Sequence, residues 1–243
     1  MAENFGITLL IVSGLIVAAG VFAALFFIRA PYGRYYRKGW GPDLPNRISW
    51  LIMEAPSVVV MAAFFFTGTA PKNLPPVLFF LMWEAHYIHR AFIYPFQITN
   101  HRKQWPVAIL AMGFVFNLGN SALNGRYLFS TSGGYPTSWI YDPRFLAGFA
   151  LFLTGFITNR WADRVLQNLR LPGETSYKIP YGGLYRRISC PNYLGEIIEW
   201  SGWALATWSL PGLRHMDLRK PGAARYCQPC LVPSKFCRLP EGA

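Results

Sequence analysis

Apolar residues in this chain gather in long uninterrupted runs instead of recurring on one helix face. From Phe5 to Ile28 there is no charged side chain. At about 1.5 Å rise per residue, a helix of that length reaches across roughly 30 Å of hydrocarbon. Five further runs follow, at about Trp50–Thr67, Pro76–Phe96, Pro106–Phe129, Phe145–Val165 and Tyr193–Leu210. Pro75, Pro76 and Pro106 stand at helix starts, where a missing N–H costs little. Pro56 and Pro95 fall inside or near the end of runs, where neighbouring helices can re-satisfy the freed carbonyls. The pattern predicts an all-α, polytopic transmembrane helix bundle with six spans. Neither a G-x-G-x-x-G turn nor a Walker loop occurs, so no Rossmann domain is expected.

Composition strengthens this picture. Hydrophobic residues make up 53% of the 243 and charged residues 14%, against about 25% charged in a soluble domain. The first run begins after Met-Ala-Glu-Asn, with no basic segment, and exceeds the roughly 7–15 apolar residues of a signal peptide. It reads as an anchor. The net charge of +12 would suit nucleic acid, but the basic residues lie between apolar runs and not on one soluble face, so no nucleic-acid partner is expected.

Their distribution instead sets orientation. Arg29, Arg34, Arg37, Lys38 and Arg47 fill the first loop, Arg102 and Lys103 the third, and Arg170, Lys178, Arg186 and Arg187 the fifth. The second loop has only Lys72 and the fourth only Arg126 and Arg144. Positive charge collects on the cytosolic side, which puts the N-terminus outside and loops one, three and five inside. The endoplasmic reticulum is expected in a eukaryote and the inner membrane in a bacterium.

Ionisable groups within spans are costly unless they pair or line a cavity. Glu54 lies in the second run, and WEAHYIHR places Glu84, His86, Tyr87, His89 and Arg90 in the third. Asn159 and Asp163 stand one turn apart in the fifth, and Glu196 and Glu199 follow Asn192 in the sixth. Any one of them could simply hydrogen-bond across helices and fix the bundle. As a set concentrated toward the cytosolic half, they point to a polar cavity open to the cytosol. His86-x-x-His89 has the spacing of a di-iron box, but the chain has four histidines in all. Cys227-x-x-Cys230, with Cys237 and His215, is too irregular for a zinc site. No metal centre is expected. These residues give a site but no reaction.

Five segments carry a resemblance: WLIMEAPS, HYIHRAFIYP, DPRF, LRLPGETSYKIPYGGLY and NYLGEIIEWSGWALATWSLP. In order and spacing, from about Trp50 to Leu213, the chain resembles the steroid 5α-reductases. The resemblance implies a seven-helix membrane fold that holds NADPH in a cavity open to the cytosol. A 3-oxo-Δ4 steroid would enter from the lipid and have its C4–C5 double bond reduced. Glu54 and Tyr87 match the pair that hydrogen-bonds the 3-oxo group. Asn159, Asp163, Arg170, Tyr177, Lys178, Asn192 and Glu196 match cofactor contacts, as does Arg102, although the spacing in TNHRKQWP differs. Lys178 stands where arginine is frequent, keeping charge but losing the planar fork. Trp50 and Phe116 match positions lining the steroid pocket.

The residue types suit that chemistry. Hydride addition to an enone leaves negative charge on the carbonyl oxygen, and a donor aimed there lowers the barrier. A phenol with an ordinary pKa of about 10 is a neutral donor at cytosolic pH. A neighbouring carboxyl can orient it or donate a proton itself. Reduction of another lipid enone or enoyl thioester, methyl transfer from S-adenosylmethionine, and a catalytically inactive membrane protein stay open as alternatives. The segments divide the chain into a transmembrane reductase domain, 1–213, and a basic tail with Cys and Pro, 214–243. That tail departs from the family, and the expectation is that it stands in place of a seventh span. The sequence leaves the oligomeric state open.

Overall fold

A computed structural model describes residues 36–98, 104–169 and 178–208, together with Ile16, Gly20, Ala23 and Phe27. Most of the first expected span, the residues Arg102, Arg170 and Tyr177, and the tail 214–243 lie outside the described residues. The described chain is mostly helical. Five helices make up the body: α1 (Asn46–Thr67), α2 (Leu74–Ile88), α3 (Val107–Arg126), α4 (Pro143–Asn168) and α5 (Pro191–Thr207). Each coincides with an apolar run, and the boundaries differ from the expected ones by a few residues.

Among the described residues two helices, Asn46–Thr67 and Val107–Thr131, are long and apolar enough to cross a bilayer, and only 22% and 17% of their most apolar 18-residue stretches are buried. A core helix of a water-soluble protein would hide most of its apolar surface. These expose it, which suits a lipid surround and a membrane protein.

Proline shapes the helix starts, as expected at Pro75, Pro76 and at Pro106, which caps α3, and also at two positions not singled out from sequence. Pro75 and Pro76 occupy the first turn of α2, and Pro143 and Pro191 open α4 and α5. Pro95 needs more. The helix that α2 begins does not run straight through it but widens into a π turn at His89–Ile93, then closes with one α turn at Tyr94–Gln97. The amide of Tyr94 bonds back to the carbonyl of His89, one residue further than in an α-helix. Proline cannot donate and its ring crowds the carbonyl four residues back, so the wider turn removes the clash. A second π turn, Tyr127–Thr131, extends α3.

A two-stranded antiparallel ribbon, β1 (Asp43–Pro45) with β2 (Gln104–Pro106), ties the starts of α1 and α3 together, pairing Leu44 with Trp105. The amides of Val107 and Ala108 donate to the carbonyls of Pro42 and Trp40, at 2.9 and 3.2 Å. They would otherwise be unpaired at the helix N-terminus. The DPRF segment is likewise a helix start. Asp142 accepts from the Arg144 amide at 2.9 Å and from its guanidinium at 2.8 Å through both carboxylate oxygens. Beside this start, where α5 ends, Tyr135 and Trp139 donate to the carbonyls of Thr207 and Ala206, at 2.7 and 2.9 Å. These meet the last free carbonyls of α5.

Candidate functional site

Glycines at a seven-residue spacing build the frame of the site. Gly148 and Gly155 on α4 face Gly202 and Gly195 on α5. A Cβ on Gly148 would collide with the backbone of Ala206, one on Gly155 with Glu199, one on Gly195 with Asn159, and one on Gly202 with Phe152. The two helices therefore pack backbone to backbone, as small residues allow. This contact sets Asn159 against the first turns of α5, where its amide donates to the Asn192 carbonyl at 3.0 Å and to Glu196 Oε1 at 3.3 Å.

Arg90, in the π turn that follows α2, closes this polar patch. Its guanidinium reaches Asp163 at 3.2 Å and Glu196 at 2.8 Å. Its faces meet the rings of Trp50 and Tyr94, with centroids at 4.8 and 4.9 Å. Trp50 also packs edge-on against Tyr94 and Trp105. One cation thus binds two carboxylates from different helices and an aromatic pair, which offsets the cost of burying it. In the loop before α5, the Tyr185 phenol donates to the Ala162 carbonyl at 3.1 Å. Burial first, then the charges of Asp163 and Cys190, push its pKa up to about 12, so it stays a neutral donor.

A second polar layer lies deeper. Glu54 and Tyr87 are 8% and 5% exposed. Asn117 on α3 donates to Glu54 Oε2 at 3.0 Å and to the Met53 carbonyl at 2.8 Å. One turn along, the Asn120 amide reaches the Tyr87 hydroxyl at 3.5 Å. Asn124 donates back to Asn120 Oδ1 at 3.0 Å and accepts from the Trp203 indole at 3.3 Å. Three asparagines on one face of α3 therefore serve Glu54 and Tyr87 in turn, Asn117 meeting the carboxylate and the Asn120–Asn124 pair meeting the phenol. Ser57, fully buried, sits beside the phenol. Rings of Trp83 and Trp200 flank Tyr87, with centroids at 4.8 and 5.7 Å. Behind them His86 Nδ1 lies 2.8 Å from Glu199 Oε1, and Glu199 is fully buried.

The structure therefore gathers the sequence-selected residues into two groups. Glu54 and Tyr87 meet through α3, while Asn159, Asp163, Asn192 and Glu196 meet on α4 and α5. Trp50 joins the second group through Arg90. Lys178 is exposed at the start of its described segment. Phe116 joins neither group: it is 66% exposed, and its neighbour Asn117 takes the buried face. Glu84, buried one turn before Tyr87, has an Oε1 atom without a hydrogen-bond partner. Sequence reading missed Asn117, Asn120 and Asn124. The signal was present as NLGNSALN, three amides at helical spacing in an apolar run, where uncharged polar groups also mark a packed face.

Comparison with known proteins places this chain in a family. The family model described as 3-oxo-5-alpha-steroid 4-dehydrogenase matches residues 103–217. Steroid 5-alpha-reductase DET2 of Gossypium hirsutum is 38% identical over 200 residues, covering 81% of this chain and 78% of that protein. The Bos taurus 3-oxo-5-alpha-steroid 4-dehydrogenase 1 is 39% identical, covering 87% and 83%. The Sus scrofa 3-oxo-5-alpha-steroid 4-dehydrogenase 2 is 42% identical, covering 83% and 79%. With likeness of this extent, running through the segments that build both polar layers, the chain belongs to the steroid 5α-reductase family.

Proposed function

We propose that this protein is a multi-pass membrane enzyme that uses NADPH to reduce the C4–C5 double bond of 3-oxo-Δ4 steroids. The observation that carries the reading is the pair of hydrogen bonds Glu54–Asn117 and Tyr87–Asn120, made from one face of α3 to a buried carboxyl and a buried phenol, in a chain whose relatives bear steroid reductase names.

The residues present fit a dinucleotide in type. Asn159, Asn192 and Glu196 gather amide and carboxylate groups on one α4–α5 face, suited to hydroxyl and carboxamide partners, and the Glu196 side chain keeps 25% exposure. Asp163 and Arg90 hold that face in place. Lys178 supplies positive charge for phosphate, and Arg102, Arg170 and Tyr177 are assigned to the same task. When bound, NADPH supplies the hydride.

What the chain does is orient and polarise. The Tyr87 hydroxyl donates to the 3-oxo group, where negative charge develops as the enone is reduced. Asn120 orients the phenol, and Asn117 holds Glu54 so that its carboxyl fixes the geometry or delivers a proton. Trp83 and Trp200 present apolar rings beside the reacting carbonyl and exclude water, which strengthens the hydrogen bond made there. The steroid enters from lipid between helices. Positive-inside orientation puts the Asn159–Glu196 face toward the cytosol, where the cofactor is available.

The test is NADPH oxidation by the purified protein with testosterone or progesterone, with product identification. Stoichiometric 5α-reduced product is expected. No turnover with either steroid, alongside turnover of an enoyl thioester, would replace this reading with the alternative reductase.

A further inference from the structure

We propose that the cleft between α4 and the π and α turns that follow α2 (His89–Ile93 and Tyr94–Gln97) is a binding site for a phosphate group. The cavity measures about 210 Å³ and is lined by His89, Ile93, Gln97, Phe156, Arg160 and Arg164. Those names form two rows. His89, Ile93 and Gln97 recur every fourth residue on one wall, as do Phe156, Arg160 and Arg164 on the other, so each row is one face of its helix.

The polar groups on these walls are basic or neutral, with no carboxylate among them. Asp163 is the acid nearest in sequence, and Arg90 already binds it. Among the described residues neither Arg160 nor Arg164 forms an ion pair, and His89 Nδ1 is buried without a hydrogen-bond partner. Two guanidinium groups and an unmet imidazole nitrogen around one space form a ready set of partners for a tetrahedral anion. Guanidinium pairs with phosphate oxygens through two parallel N–H bonds. Ile93 and Phe156 give the cleft an apolar side, and the Phe156 ring centroid lies 5.8 Å from the Arg160 guanidinium.

Size narrows the ligand. Pockets for whole drug-sized molecules run from about 300 to 1,000 Å³. This one suits a charged group of a larger molecule, neither a complete steroid nor a dinucleotide. Its lining shares no residue with the Glu54–Tyr87 layer, and its walls are the turns that follow α2 and the second half of α4. A phosphate group has two sources here: a phospholipid headgroup, or a nucleotide phosphate. The second source alone rests on the cofactor reading above.

The full-length protein in detergent is titrated with two probes. One is dioleoylphosphatidylglycerol, followed by native mass spectrometry against dioleoylglycerol, which lacks the phosphate. The other is adenosine 2′,5′-bisphosphate, followed by calorimetry. Saturable binding of at least one probe is expected, weakened at least about tenfold in R160Q/R164Q and partly retained in R160K/R164K. A response to the lipid alone assigns the site to a headgroup, and a response to the nucleotide alone assigns it to the cofactor. If R160Q/R164Q does not fold, H89F decides, because it fills the same cleft with an uncharged ring. The proposal is overturned if neither probe binds saturably, or if the folded variant binds both as tightly as the parent.

Discussion

Two helix pairs in this protein solve the packing problem in opposite ways. Between α4 and α5, glycines meet backbone, so an added methyl has nowhere to go. Between α1 and α3, glycines meet side chains: a Cβ on Gly113 would lie 2.5 Å from Met53 Cγ and Sδ, and one on Gly125 would lie 2.9 Å from Phe64. The first pair is a rigid frame whose geometry follows from the backbone alone. The second is spaced by side chains that can move, and polar groups fit into the gap, with Asn117 bridging to Glu54. Close backbone contact leaves room for polar groups only at its ends, so the Asn159–Glu196 patch sits at one end of α4–α5. A wider gap lets the Glu54–Tyr87 layer sit inside the bundle.

The sharpest way to break this contrast is Gly155→Val. Its side chain would meet the Glu199 backbone, which no rotamer change relieves, and it should leave little or no folded protein. Overpacking usually costs about 1–3 kcal/mol, and more where neighbours cannot shift. Recovery of monodisperse protein and its thermal unfolding measure this, and a variant that melts like the parent would show that the helices can separate. Next in size, Tyr87→Phe should lower turnover by about 10²–10³-fold, the usual effect of losing one oxyanion donor, while cofactor affinity stays within about twofold. Unchanged turnover would remove Tyr87 from the reaction.

Asn117→Leu tests the wider pair from its polar side. It strips Glu54 of its amide donor and frees the Met53 carbonyl, a loss of about 1–3 kcal/mol for groups left buried and unmet. Lower thermal stability is expected together with reduced turnover. Stability loss with full activity would make the asparagine purely structural. Smallest of all, Gly113→Ala should cost under about 1 kcal/mol, because the flexible Met53 side chain can turn aside. If it is as damaging as Gly155→Val, the distinction between the two pairs is void.

Helix identity was legible because it is a local property. Apolar runs marked α1 to α5, and proline marked two of their starts, Pro75 and Pro76 for α2 and Pro106 for α3, without reference to any neighbour. Glu54, Tyr87, Asn159, Asp163 and Glu196 were also legible, since a polar side chain in an apolar run is conspicuous whatever surrounds it. Phe116 shows where this ended. An aromatic residue in such a run reads the same whether it faces lipid or a pocket; resemblance assigns it to the steroid pocket, and the structure shows it exposed, with Asn117 turned inward.

Partnership was decided only in three dimensions. Arg90 binds Asp163 and Glu196 across 73 and 106 positions of chain, and His86 finds Glu199 across 113. Helical periodicity says which residues share a face, but not which helix that face will meet. In lipid the usual clue is weak, because an apolar side chain is nearly as well accommodated by acyl chains as by a neighbouring helix. The sequence by itself therefore determined the helices and the polar residues they carry. Which helix each of them faces was settled by the glycine contact of α4 with α5, by the β1–β2 ribbon tying α1 to α3, and by the π turn before Pro95 that carries Arg90.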